Sequence, residues 1–123
     1  MKRYNKNLGD FGECAAAEYL KSEGYEILAR NFRAAHGEID IVARDGGFLV
    51  FVEVKTRSSE KYGFPSEAVD YNKRKHMRLA AEEYYRANPT DLEIRFDVTE
   101  VSAAIGGGVP QLFGINHIKG VDI

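Results

Sequence analysis

A chain of 123 residues is the usual size of one domain, long enough for one hydrophobic core and too short for two. The hydrophobic share of 44% and charged share of 29% belong to an ordinary globular protein and exclude a disordered or fibrous one. The net charge of -2 lacks the basic excess that phosphate-binding proteins usually show, although Lys2, Arg3 and Lys6, and then Lys73, Arg74, Lys75 and Arg78, cluster locally, and distribution matters more than the sum. The longest apolar run, Phe48-Leu49-Val50-Phe51-Val52, stops at Glu53, far short of the ~20 residues that span a bilayer, so no membrane partner is expected. The start is basic, but Asp10 and Glu13 stand where the apolar stretch of a signal peptide would be, and the chain reads as cytoplasmic. Cys14 is alone, which rules out an intrachain disulfide and a CxxC metal site.

In chain order, residues 9–24 are helix formers ending at a glycine suited to a C-terminal cap. At 100° per residue Gly9, Glu13, Ala16, Ala17, Leu20 and Gly24 share one arc, with Glu13 in its middle. Residues 25–32 read as a first strand, His36-Gly37 as a turn, and residues 38–43 as a second strand. Asp45-Gly46-Gly47 signals a hairpin into a third strand over residues 48–56, apolar on both faces and so expected at the centre of the sheet. Residues 57–63 read as a polar loop, and Pro65-Ser66-Glu67 as a helix start with Ser66 as N-cap. That helix runs to Ala87, where Asn88-Pro89 stops it. Residues 92–99 alternate as a fourth strand, residues 103–108 read as a flexible connection, and residues 111–118 as an edge strand. The order helix, three strands, helix, one or two strands predicts an α/β domain: a mixed four- to five-stranded sheet flanked by helices.

Residues two apart on a strand share a face, which pairs Glu38 with Asp40 and Glu53 with Lys55. Closing the hairpin at Gly46 sets Asp40 across from Glu53, to within one position. A Glu-x-Lys pair is most often a solvated surface pair. These charges instead fall within strands built for a core, where an unpaired carboxylate costs several kcal/mol to desolvate. A hard cation such as Mg²⁺ or Mn²⁺ takes carboxylate and carbonyl oxygens and needs no histidine or cysteine, which suits the residue types here.

Gly37-Glu38-Ile39-Asp40 followed by Phe51-Val52-Glu53-Val54-Lys55-Thr56-Arg57 resembles the central motif of the PD-(D/E)XK nucleases, and specifically the small YraN-like family related to archaeal Holliday-junction resolvases. The likeness extends through Gly9-Asp10-Phe11-Gly12-Glu13, Gly24-Tyr25, Asn31-Phe32, the Lys73 region and Arg95-Phe96-Asp97-Val98, as far as Val101. Ile39 stands where the superfamily's name has proline. The resemblance implies a restriction-endonuclease-like three-layer core and a metal-dependent DNA endonuclease acting on branched or damaged DNA. It implies that Asp40 and Glu53 ligate the metal, with the Val54 carbonyl as a third oxygen, and that Lys55 orients or deprotonates the attacking water.

Glu13 has two readings: an acid near the metal, as the family places one, or a first-turn charge favoured by the helix dipole. Lys73 falls on the sheet-facing arc of the second helix and is a candidate phosphate contact or auxiliary lysine. His76 shares that arc and is expected to be packed rather than a ligand. Arg74 is a backbone-positioning candidate or a solvated charge. Arg57, Lys61 and Tyr62 could clamp a strand, with Tyr62 stacking on a base. Asp97 with Arg95 reads as an ion pair organising the strand, and Tyr71, Tyr84 and Tyr85 as core or interface. A non-catalytic nucleic-acid-binding or scaffold protein on a nuclease fold is the competing reading, and a homodimer is compatible with either.

Overall fold

The computed structural model describes residues 2–58 and 71–123, with side chains from Leu8 onward. The elements run α1 (Lys2–Ser22), β1 (Glu26–Ala34), β2 (Gly37–Asp45), β3 (Phe48–Arg57), α2 (Tyr71–Ala87), β4 (Glu93–Gly106) and β5 (Val109–Ile118). The five strands form one sheet in the order β1-β2-β3-β4-β5. Only β3 and β4 pair in parallel, and the helix in the chain between them supplies the crossover that a parallel pair needs; the other neighbours are antiparallel. The sheet is therefore mixed, and β3 is its central strand, as its apolar character on both faces predicts.

Side chains leave β3 alternately to the two faces and build two cores. Val50 and Val52 pack with Ala16, Ala17 and Leu20 of α1, while Leu49 and Phe51 pack with Met77, Ala80, Ala81 and Tyr84 of α2. The helices thus cover opposite faces, giving three layers. The small residues on the α1 arc let that helix lie close to the sheet. Ala16 and Leu20 are fully buried, and α1 closes at Gly24, where Tyr25 N–H donates to Leu20 O at 2.9 Å and Gly24 N–H to Lys21 O at 3.0 Å.

Several boundaries differ from expectation. α1 begins at Lys2 rather than near Gly9, so Glu13 lies about three turns inside the helix. β4 runs on to Gly106, and residues 103–106 belong to the sheet instead of a flexible connection. Ala103 is fully buried in the α1 core, and Gly107 and Gly108, with φ of 62° and 79°, make the tight two-residue turn that joins β4 to β5. The expected helix start at Pro65-Ser66-Glu67 lies outside the described residues. Among the described residues, no helix is long and apolar enough to cross a membrane.

Candidate active site

The β2–β3 ladder runs from Asp45 opposite Phe48 to Ile41 opposite Val52. The next residues along are Asp40 and Glu53, one step beyond the last paired position and so within the one-position margin of the expected register. Here the regular pattern gives way. Ile39 packs in the α2 core while Ile41 packs in the α1 core, so the alternation of β2 lapses at Asp40. On the other side, Arg30 faces Ile41 and Phe32 faces Ile39, which brackets Asn31 against Asp40; Asn31 has a φ of 55°, a left-handed conformation that asparagine tolerates better than most residues. Val54 N–H donates to Asp40 Oδ2 at 2.8 Å.

Asp40 and Glu53 are both buried, at 8% and 4% exposure, and close enough for the charge of Asp40 to act on Glu53. Burial raises the pKa of each. Glu53 is pushed up to about 7, first by burial and then by the negative charge of Asp40, against the opposing pull of Lys73. Asp40 rises less freely because the Val54 N–H and the Lys73 ammonium favour its charged form. Two carboxyls forced together out of water are costly unless a proton or a cation offsets their charge.

Lys73 leans toward the sheet as its place on the helix predicts, with Nζ 3.3 Å from Glu53 Oε2. Lys55 is half-buried and, two residues beyond Glu53, projects from the same face of β3. Glu13 is half-buried on α1. Burial first, and Asp40 second, raise its pKa, and Arg30 lies 3.9 Å away. A position so deep in α1 excludes the first-turn dipole explanation for Glu13, because that effect fades beyond the first turn.

The remaining candidates separate. Arg57, at the end of β3, lies 3.3 Å from Glu100 Oε2. Arg74 is half-buried on α2. His76 is exposed, contrary to the expected packing, because Met77 beside it takes the place in the α2 core. Lys61 and Tyr62 lie outside the described residues, as do the side chains of Lys2, Arg3 and Lys6. Tyr84 is in the core, while Tyr71 and Tyr85 are exposed. A groove of about 500 Å³, lined by Phe51, Leu92, Ile94 and Phe96 with Arg78, Glu82 and Arg86 at its charged side, includes none of Asp40, Glu53 and Glu13.

Asp97 is fully buried, with its carboxylate saturated. Arg95 Nε and Nη2 donate to its two oxygens at 2.9 and 3.0 Å, Gly120 N–H donates to Oδ1 at 3.1 Å, and His117 Nε2 lies 2.8 Å from Oδ2. Tyr25 Oη donates to Oδ2 at 3.3 Å and accepts from Arg95 at 2.6 Å. These bonds hold the Asp97 carboxyl down at about 2 despite burial. Asp97 and Arg95 thus form the ion pair that their shared face of β4 predicts.

Three residues near the acids were not among the candidates. Arg30 and Asn31 reach Glu13, and Asn31 lies in a stretch that otherwise reads as plain strand. Glu100 is a buried carboxylate one residue past the predicted end of the fourth strand. Extending the strand's alternation by one step would have exposed it.

Among the described residues, no three or more histidine, cysteine, aspartate and glutamate side chains are gathered as a metal-binding group; the cluster has two carboxylates, Asp40 and Glu53, with Glu13 within electrostatic reach. A Mg²⁺ or Mn²⁺ ion keeps several waters and needs only one or two carboxylates, so the donor set fits a hard cation and no softer one.

Fold and cluster together define a small α/β protein with a buried acid pair at the end of a β-hairpin, on the central strands of its sheet. The chain belongs to the family described as "Uncharacterised protein family UPF0102", which it matches over residues 12–101. It is 50% identical over 115 residues to a UPF0102 protein of Caldicellulosiruptor saccharolyticus, covering 93% of this chain and 95% of the relative. Over 103 residues it is 50% identical to UPF0102 proteins of Clostridium botulinum and Clostridium acetobutylicum, covering 82% of this chain and 84% of each relative. The family match takes in Glu13, Asp40, Glu53, Lys55 and Lys73, and ends at Val101, before β5.

Proposed function

We propose that this protein is a PD-(D/E)XK-type, divalent-metal-dependent nuclease that hydrolyses DNA phosphodiesters, with branched or damaged DNA as its substrate class. The observation that carries the reading is the buried Asp40–Glu53 pair, one carboxyl pushed up to about 7, with Lys55 on the same face. Such a pair is expensive for a fold and useful to a reaction. In this reading Asp40 and Glu53 hold Mg²⁺ or Mn²⁺ together with the Val54 carbonyl. The ion supplies positive charge to the phosphate oxygens and lowers the pKa of water.

The chain's own groups do the rest. The Val54 N–H fixes one Asp40 oxygen, which aims the other. Lys55 orients the attacking water or takes its proton, and its charge offsets the negative charge that builds on the phosphate. Glu13 adds a third acid from α1. Lys73, which pairs with Glu53, would reach phosphate from α2, and Arg57, Arg74, Lys61 and Tyr62 would contact the strand. A homodimer would let the protein cut both strands of a duplex.

A panel of supercoiled, linear, single-stranded, flapped and four-way DNA, each with Mg²⁺ and with Mn²⁺, tests this. Cleavage lost in Asp40→Asn, Glu53→Gln and Lys55→Ala supports it; no cleavage by the wild type, or equal cleavage by these variants, ends it. The competing reading, a nucleic-acid-binding or scaffold protein without catalysis, draws on the Lys73–Glu53 ion pair and on the gathering of only two carboxylates among the described residues. Calorimetric titration with Mn²⁺ separates the two, since binding lost in Asp40→Asn belongs to the nuclease alone.

A further inference from the structure

Beyond the acid pair, the same face of the sheet continues from β3 to a further buried carboxylate, Glu100 on β4. In the parallel β3–β4 register Lys55 stands opposite Glu100, and in the β4–β5 register Glu100 stands opposite Asn116. The Glu100 side chain is about nine-tenths buried; Asn116 Nδ2 donates to its Oε1 at 3.4 Å, and Arg57 Nε lies 3.3 Å from its Oε2. That separation makes an ion pair but not a hydrogen bond, and among the described residues neither Arg57 Nε nor Glu100 Oε2, both buried, has a hydrogen-bonded partner. A pair serving only stability gains by closing this bond, since leaving buried polar atoms unsatisfied is costly. Groups that act on a ligand are often long or misaligned until the ligand arrives.

The spacing gives the pair a place relative to the acids. At about 3.3 Å per residue, Lys55 lies ~7 Å and Arg57 ~13 Å along β3 from Glu53 on one face. The row acid, amine, guanidinium sets two cationic groups in line on one face of β3 beyond Glu53, an arrangement that suits successive backbone phosphates. An isolated glutamate on such a row would repel phosphate. One that grips the Nε side of an arginine presents the forked end of the guanidinium, which matches phosphate oxygens in pairs.

We propose that Glu100 is a positioning residue that holds the Arg57 guanidinium on the Glu53–Lys55 face of β3, where it clamps a backbone phosphate next to the one that is cut. The inference rests on the nuclease reading and adds to it a second phosphate subsite and the residue that sets it. Asn116 fixes the other Glu100 oxygen, so β5, which lies beyond the family match, takes part through Glu100.

The test is equilibrium binding of a labelled four-way-junction oligonucleotide and a labelled single strand to the full chain, in chelator and over a range of salt. Arg57→Ala and Glu100→Leu should each weaken binding about tenfold, and each should reduce the salt slope by about one. The double variant should bind no more weakly than Arg57→Ala, and Glu100→Gln, which keeps an acceptor for Nε, should fall between Glu100→Leu and the wild type. Mn²⁺ titration should be unchanged in all four. Glu100→Leu binding as tightly as the wild type, or more tightly as loss of a repelling charge would give, overturns the proposal. So does a change in Mn²⁺ binding, which would make Glu100 a ligand. If Glu100→Leu does not fold, Arg57→Ala binding like the wild type has the same force. A wild type that binds neither oligonucleotide overturns the nucleic-acid reading as well, so the two failures are told apart.

Discussion

Val54 N–H donates to Asp40 Oδ2 at 2.8 Å, so a side-chain carboxylate, rather than the main chain of β2, meets β3 just past the end of the regular ladder. Asp40 therefore has two separable roles: a hydrogen-bond acceptor for the hairpin and a charge facing Glu53. Asparagine keeps the first and removes the second. Asp40→Asn should be more stable than Asp40→Ala by about 1–2 kcal/mol, the cost of leaving the Val54 donor unmet. In metal-free buffer at neutral pH it should equal or exceed the wild type, because the repulsion with Glu53 is gone. Denaturant unfolding of the three proteins checks both orderings, and an Asn variant less stable than the Ala variant would remove the acceptor role.

Glu53 sets a pH dependence of the opposite sense to most carboxylates. Its native pKa of about 7 stands above the ordinary value of 4.5. Between those values the folded protein holds a proton that the unfolded chain has released, so the contribution to stability is present at low pH and lost as pH rises toward 7. From about pH 5 to about pH 8 the metal-free wild type should lose on the order of 2 kcal/mol more than Glu53→Gln does. Lysine 73 pulls the Glu53 pKa down, so Lys73→Ala should raise it further and move Mn²⁺ binding to higher pH. Unfolding and Mn²⁺ titrations across that pH range check the two effects. Parallel pH profiles for wild type and Glu53→Gln would show that Glu53 is not the titrating group.

How much of this was legible in the sequence depended on the range of the interaction. The β2–β3 hairpin could be read because Asp45-Gly46-Gly47 fixes its register locally, and with it the meeting of Asp40 and Glu53. Lys73 could be read from helix periodicity, and Gly24 from helix-capping chemistry. The end of β4 could not, because Ala103, Ala104 and Gly106 look like a loop by composition; they are strand residues because small side chains fit beneath α1 and a glycine turn follows. Cutting that strand at Thr99 also hid Glu100. His117 reaches Asp97 across twenty residues of chain, and no local pattern records such a contact.

That long-range network should dominate acid unfolding. The Asp97 pKa is lowered from 3.8 to about 2, so its contribution to stability is complete above about pH 4 and is lost as pH falls through 2. Asp97→Asn should flatten the stability profile over that acid range. At neutral pH it should cost about 3–5 kcal/mol, because Arg95 and the groups around it lose a buried counter-charge. Thermal unfolding between about pH 2 and pH 7 reads both effects. A loss below about 1 kcal/mol at neutral pH would mean that Asp45, 3.0 Å from Arg95, suffices as its partner.

Gly12 links α1 to the acid cluster. A β-carbon built at Gly12 overlaps Thr56 Oγ1 and comes within 3.0 Å of the Thr56 side-chain carbons, so α1 crosses β3 here with no room for a methyl group. Thr56 follows Lys55 directly, and Glu13 follows Gly12, so this contact sets how closely the helix brings Glu13 to the strands bearing Asp40 and Lys55. Gly12→Ala must push the helix outward or force Thr56 from its rotamer. The strain outweighs the ~1 kcal/mol gain of alanine over glycine within a helix, and a net loss of about 1–3 kcal/mol is expected. Thr56→Ala in the same chain removes the overlapping hydroxyl and should restore part of that loss. If Glu13 acts at the cluster, Gly12→Ala should also lower cleavage by more than the folded fraction accounts for, with the double variant recovering both. Stability restored without activity would confine Gly12 to packing, whereas no destabilisation at all would mean that α1 does not sit this close to β3.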